Sequence, residues 1–140
     1  MLWLKDRFIN EGRALAGVVC CESSSYINGL STFPPSPLLR FLDMEVGSNR
    51  IRYVTPNRTL PITEDIEHVA GHLYATNKER TICDMILYES NDEFIYESIE
   101  TYLALHGTEE TLRTYALKYN CVEKMEHYLT TLDAYLAEEY

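Results

Sequence analysis

The sequence predicts an α+β protein, with a small β-hairpin sheet in the first half followed by a C-terminal bundle of about four helices. Three observations predict it. Up to Thr76 the chain consists of short apolar runs broken by prolines and by the turn-forming strings Gly47-Ser48-Asn49 and Ala70-Gly71, the punctuation of strands and turns. From Asn77 onward apolar residues recur at intervals of three and four, and each run starts at a residue able to cap a helix. The charge divides at the same region: residues 1–88 hold nine Lys and Arg against ten Asp and Glu, whereas residues 89–140 hold three against twelve. An acidic excess of that kind suits solvated helical faces. With 140 residues, 46% of them hydrophobic and 24% charged, one globular domain with a single core is expected.

Taken in order, Leu2 to Ala16 spaces Leu4, Phe8 and Leu15 roughly as a helix does, with Trp3 as an anchor and Gly12 as a break. Val18 to Leu30 leads from an apolar run through Glu22 and Ser23-Ser24-Ser25 into a short helix that Gly29 closes. Pro34, Pro35 and Pro37 form a stiff connector that cannot enter a sheet interior. Leu38 to Val46 and Arg50 to Thr55 then read as two strands of a hairpin around Gly47-Ser48-Asn49. A second, tighter hairpin joins Ile66–Val69 to Leu73–Ala75 across Ala70-Gly71.

The helical half opens at Asn77, whose side chain can accept a first-turn N–H, with Glu79 facing the positive end of the helix dipole. Ile82, Met85 and Ile86 are its buried stripe, and Arg80 and Asp84, four apart, can pair on one face. Ser90 and Glu93 read as a capping box for a helix with Ile95, Ile99, Tyr102 and Leu103 on one side, ended by Gly107. Thr108 caps the next, with Leu112, Tyr115, Ala116 and Tyr119 facing inward and Asn120 closing it in the left-handed conformation. The last carries Val122, Met125, Leu129, Leu132 and Leu136 as a narrow seam. Short connections make neighbouring helices antiparallel.

Four cysteines, Cys20, Cys21, Cys83 and Cys121, lack the spacing of a zinc site or a disulfide framework and read as small buried residues. The three serines have no glycine-flanked nucleophile elbow and read as packing and capping groups. His68 and His72 read as turn histidines, and no metal site or cofactor is expected. Arg50, Arg52 and Arg58, near Arg40, form the one basic cluster and a weak candidate for nucleic-acid contact; an exposed strand face guarded by charge is the ordinary reading. Glu79, Asp84 and His72 are the nearest approach to a catalytic group, without a recognised signature, so no enzyme is expected.

Glu79-Arg80-Thr81-Ile82-Cys83-Asp84, after a short hairpin and before three helices, resembles the ERT-hydrophobic-x-D signature in the carboxy-terminal domain of AbiE-type antitoxins. These are the antitoxin and regulator halves of type IV toxin-antitoxin (abortive-infection) systems. Glu22 and the pair Gly29-Leu30 are similar to a second stretch of that family, with Cys20-Cys21 and Asn28 replacing its serine and histidines. The resemblance assigns Glu79, Arg80, Thr81 and Asp84 a structural role. It implies a phage-defence antitoxin domain that binds and neutralises a nucleotidyltransferase-like toxin. Too few residues precede Cys20 for the family's winged helix, so DNA binding by this chain alone is not expected.

The acidic excess suits a basic protein partner, and Glu97, Glu100 and Glu126 are the candidate contact residues. With no long apolar run and no signal-peptide core, a cytoplasmic protein is expected, without a membrane partner. The alternatives are a fragment or relative of a transcriptional regulator, and a small scaffold protein assembled through its tyrosine-rich helices.

Overall fold

The computed structural model describes residues 17–32, 39–42, 51–54 and 64–138, together with Asp6 and Ile9. Among the described residues the elements with defined bounds are, in order, β1 (Gly17–Val19), α1 (Cys21–Ile27), β2 (Leu39–Leu42), β3 (Ile51–Val54), β4 (Ile66–Ala70), β5 (Leu73–Thr76), α2 (Lys78–Leu87), α3 (Asp92–Ala104), α4 (Glu109–Lys118) and α5 (Val122–Glu138). The protein is therefore α+β, a small sheet in the first half and four helices after it. The expectations for Leu2–Ala16 and for the Pro34–Pro37 connector fall outside the described residues, apart from Asp6 and Ile9.

Among the described residues the sheet has five strands in the order β3-β2-β1-β5-β4. Its centre is β1, three residues that the sequence reading had no strand for. Val19 pairs antiparallel with Phe41 on one side, and Gly17 to Val19 pair parallel with Leu73 to Ala75 on the other. Such a strand is buried on both faces, so alternation cannot reveal it. Val18 joins the large core shared with the helices, whereas its neighbour Val19 joins a smaller cluster with Ile27, Leu73 and Ala75, as period-two geometry requires.

The β4–β5 hairpin is present, antiparallel with a register shift between His68 and Ala70, and it turns on Gly71 and His72, with Gly71 at φ +53. The first expected hairpin is not. β2 and β3 pair parallel, from Leu39 opposite Ile51 to Leu42 opposite Val54. Turn chemistry marks where a chain can bend, not whether it reverses once or twice, and residues 43–50 lie outside the described set.

Helices α1 to α4 close in one way. The residue two beyond the C-cap donates its N–H back to a carbonyl five positions earlier: Leu30 to Ser25 at 2.8 Å, Ser90 to Met85 at 2.8 Å, Gly107 to Tyr102 at 3.0 Å and Cys121 to Ala116 at 2.9 Å. Each closure needs a left-handed residue just before that donor, and these are Gly29, Glu89, His106 and Asn120. Gly29 and Asn120 act as the sequence predicts. Gly107 does not; it sits one place later, where a Cβ would fall 2.3 Å from the Tyr102 ring.

At the helix starts, Asn77 accepts from the Arg80 N–H at 2.9 Å and Thr108 from the Thr111 N–H at 3.1 Å, as expected. The Ser90–Glu93 capping box is replaced: Asn91 accepts the Glu93 N–H at 2.9 Å, and Ser90 is buried as part of the preceding closure. The seam of α5 begins at Met125, because Val122 is 42% exposed.

One core unites Val18, Cys20, Cys21 and Leu30 with Ile82, Met85, Ile95, Ile99, Leu112, Tyr119, Met125 and Leu129 of the bundle. Among the described residues no helix is long and apolar enough to cross a membrane.

Candidate protein-binding site

Arg80, Thr81 and Asp84 of the α2 motif are buried and Glu79 is half-buried, at the junction where β5 passes through Asn77 into the bundle. Arg80 and Asp84 are each 2% exposed, and Arg80 Nε stands 3.3 Å from Asp84 Oδ2. The pairing is the one the spacing suggested, but burial changes its energetics. An exposed pair of this order is worth a few tenths of a kcal/mol, whereas removing one partner of a buried pair costs about 3–5 kcal/mol. Arg80 also donates through Nη1 to the Glu64 carbonyl at 2.7 Å, and its guanidinium lies 5.4 Å from the centre of the Tyr119 ring.

Around that cation stands a second shell of charge. Asp65 accepts from the Tyr119 hydroxyl and from Lys118 Nζ at 2.7 Å, and Lys118 also reaches Glu64 at 3.1 Å. Burial works to raise the Asp65 carboxyl, but the bonds from Lys118 and Tyr119 and the charges of Lys118 and Arg80 together hold it below its ordinary value. The Tyr119 hydroxyl is pushed far up, by burial first and then by its bond to Asp65.

Thr81 faces another way. Its hydroxyl meets Ser24 Oγ at 2.9 Å and Thr76 Oγ1 at 2.7 Å, and Ser24 donates to the Thr76 carbonyl at 2.8 Å. Asn28 adds bonds to Ser24 Oγ and to the same carbonyl. Ser25 meets Ser98 of α3 at 2.7 Å. These serines are wholly buried and tie α1 to β5, α2 and α3. Glu79 turns outward and accepts from Tyr102 at 2.8 Å. All four motif residues thus carry internal bonds.

The chemical alternatives have little geometry behind them. Cys21 is left-handed at φ 54 on a strand-to-helix turn, a strained conformation found at functional sites. It is also fully buried, whereas a nucleophile needs access to its substrate. Asp84 is committed to Arg80 and Glu79 to Tyr102, while His72 lies exposed in the β4–β5 turn. His68 binds the Gly71 carbonyl at 2.8 Å. Among the described residues no three His, Cys, Asp or Glu side chains are grouped to hold a metal ion. Of the basic cluster, Arg52 pairs with Arg40 in the β3–β2 register, and Arg50 and Arg58 lie outside the described residues.

The three candidate contact glutamates part company. Glu97 accepts from the N–H of Thr32 at 2.7 Å and from its hydroxyl at 3.2 Å, pinning the chain beyond α1 to α3. Glu126 pairs with Arg113 at 2.6 Å across α4 and α5. Both groups are over two-fifths exposed, so solvent screens the pair and it contributes little to stability. Glu100 borders a recess. It lines a groove of about 240 Å³ between α3 and α5 with Tyr96, Thr131, Leu132 and Tyr135.

Tyr135 is 58% exposed at that groove. Tyr96 leans edge-on against Tyr128 with ring centres 5.1 Å apart, and the Tyr128 hydroxyl binds Asp92 at 2.5 Å, which fixes the groove's inner wall. Helix α3 carries Asp92, Glu93, Glu97 and Glu100 and no basic residue. A second, more polar cleft of about 480 Å³ lies between Glu89, Asp92, Lys124 and His127. The sequence pointed to Glu100 through charge alone. The tyrosines beside it were visible only as an abundance, because the groove needs residues of two helices brought side by side. No protein-family model and no curated protein matches the sequence.

Proposed function

We propose that the chain is a protein-binding domain whose contact surface is the α3–α5 groove, and that its partner is basic. The observation that carries this reading is the pairing of an exposed tyrosine and an exposed glutamate, Tyr135 and Glu100, at the rim of one apolar recess. Tyrosine buries a large area at low entropy cost and is enriched at interfaces, while a rim carboxylate governs orientation and encounter rate. A short apolar side chain flanked by Lys or Arg fits both features.

The antitoxin reading gives the partner an identity. On the resemblance of Glu79-Arg80-Thr81-Ile82-Cys83-Asp84 to the AbiE-type signature, the partner is a nucleotidyltransferase-like toxin encoded beside this chain, and the chain suppresses it by binding, without turnover of its own. Support for this identity is the motif string and its place between a hairpin and three helices. A cytoplasmic setting belongs to the same reading.

The test is co-expression with the adjacent reading frame, scored by growth and by pull-down at low and high salt. Glu100→Arg and Tyr135→Ala each weaken the complex at least tenfold, and Glu100→Arg flattens its salt dependence. Glu97→Arg is a poorer probe, because it also cuts the tie to Thr32. A neighbour that is harmless, or whose toxicity this chain leaves unchanged, overturns the antitoxin identity. Unchanged binding in both groove variants overturns the surface.

A further inference from the structure

The α3–α5 groove is continuous with the polar cleft at the starts of the same two helices. Tyr96 walls the groove, Tyr128 walls the cleft, and their rings meet edge-on with centres 5.1 Å apart. On α3, Asp92 lines the cleft and Tyr96 and Glu100 line the groove. On α5 the step between the recesses is seven residues, from Lys124 to Thr131 and from Tyr128 to Tyr135, about 10 Å along the axis. The two helices therefore run the same way past both recesses.

The recesses differ in chemistry. The groove, about 240 Å³, is walled by Leu132 and tyrosine rings and suits one apolar side chain. The cleft has twice that volume, about 480 Å³, and its lining sets the carboxylates of Glu89, Asp92 and Glu123 against the single ammonium of Lys124. The lining also includes Ser90, 7% exposed, whose Oγ has no hydrogen-bond partner among the described residues. A buried hydroxyl without a partner is costly, and an occupant rich in N–H groups relieves that cost. Acidity, an unsatisfied hydroxyl and this volume suit a guanidinium, which carries five donors in a rigid fork on a long apolar stem.

We propose that groove and cleft form one two-point dock for an amphipathic helix of the partner, with an apolar side chain in the groove and an arginine seven residues away in the cleft. The inference rests on the basic protein partner proposed above. A helix satisfies its own backbone hydrogen bonds, whereas a seam between two helices offers an extended chain no row of free N–H and C=O groups. Seven residues bring a helix back to the same face nearly two turns on, which matches the step along α5. Charge sets the sign of the occupant, because α3 carries four carboxylates and no basic residue.

The full chain is titrated with labelled alanine-glutamine peptides of about eighteen residues, long enough to be helical alone, that carry one leucine and one arginine either seven or four positions apart. Binding is read by fluorescence anisotropy and by the amide chemical shifts of the chain. The seven-spaced peptide is expected to bind about tenfold more tightly than the four-spaced one, and to shift Ser90 and His127 together with Thr131. Glu89→Lys weakens that complex about tenfold, Lys124→Glu tightens it, and Tyr135→Ala weakens it from the other end. No binding by either peptide, equal binding at the two spacings, shifts confined to Thr131 and its neighbours, or indifference to both Glu89→Lys and Lys124→Glu overturns the two-point dock. The groove as a contact surface fails separately, by unchanged binding of the natural partner to Glu100→Arg and Tyr135→Ala.

Discussion

Replacing Asp84 with Asn removes the charge that faces Arg80 while keeping the shape of the side chain. Arg80 is 2% exposed, so water cannot take the place of the carboxylate. The guanidinium keeps, among its contacts, the Glu64 carbonyl at 2.7 Å, the Tyr119 ring at 5.4 Å and the Asp65 charge. The expected loss is about 3–5 kcal/mol, the cost of removing one member of a buried ion pair. Set against the roughly 5–15 kcal/mol that holds a domain of this size folded, that is a large fraction. Urea unfolding followed by far-UV circular dichroism reads it as a midpoint lowered by about 2 M, for a slope of about 2 kcal/mol per M. The double variant Arg80→Met with Asp84→Leu recovers most of the loss, because no charge is left to strand. A loss under about 1 kcal/mol for Asp84→Asn refutes the reasoning and returns the pair to the status of a surface contact.

Ser24→Ala removes the oxygen shared by Asn28, Thr76 and Thr81 and costs about 1–3 kcal/mol by the same urea measurement. Gly107→Ala drives a methyl into the Tyr102 ring and costs about 1–3 kcal/mol, with loss of the Tyr102–Glu79 bond visible in the tyrosine ultraviolet difference spectrum. Asp65 has a folded pKa below its unfolded value, so its contribution is complete above the ordinary carboxylate range. It is lost as pH falls through the lower folded value, and Asp65→Asn flattens that acid limb in thermal unfolding between neutral pH and strong acid.

The bundle was largely legible because its signals are local. Asn77 and Thr108 cap within three residues of themselves, and Ile82, Ile95, Ile99, Leu112 and Met125 follow helical periods that one strand of sequence displays. In the sheet, β2, β3 and the β4–β5 hairpin were legible as strands, but the way β2 and β3 pair was not. β1 is too short and too buried to alternate, and the direction of β3 beside β2 depends on a path that composition does not encode. At the site, spacing named Arg80 with Asp84 but could not say that they are buried. The partners that enclose them, Asp65, Lys118 and Tyr119, arrive from other segments. Glu97 and Glu126 looked equivalent to Glu100 for the same reason: Thr32 and Arg113 are invisible to local charge counting.

The central placement of β1 has a kinetic consequence. Val18 sits opposite Tyr74 and Val19 opposite Ala75, so the sheet joins only after most of the first half of the chain has been looped out. The helices from α2 to α5 need no such closure, since α2 packs on α3 and α4 on α5 across short turns, and α2 meets α4 and α5 within the same stretch of chain. Loop-closure entropy and the dependence of rate on contact separation set the order: bundle first, middle strand last. In a refolding pulse of amide exchange, the N–H groups of α4 and α5 gain protection before those of Val18 and Ala75. The three residues at the middle of the sheet are thus the latch of the fold rather than its seed.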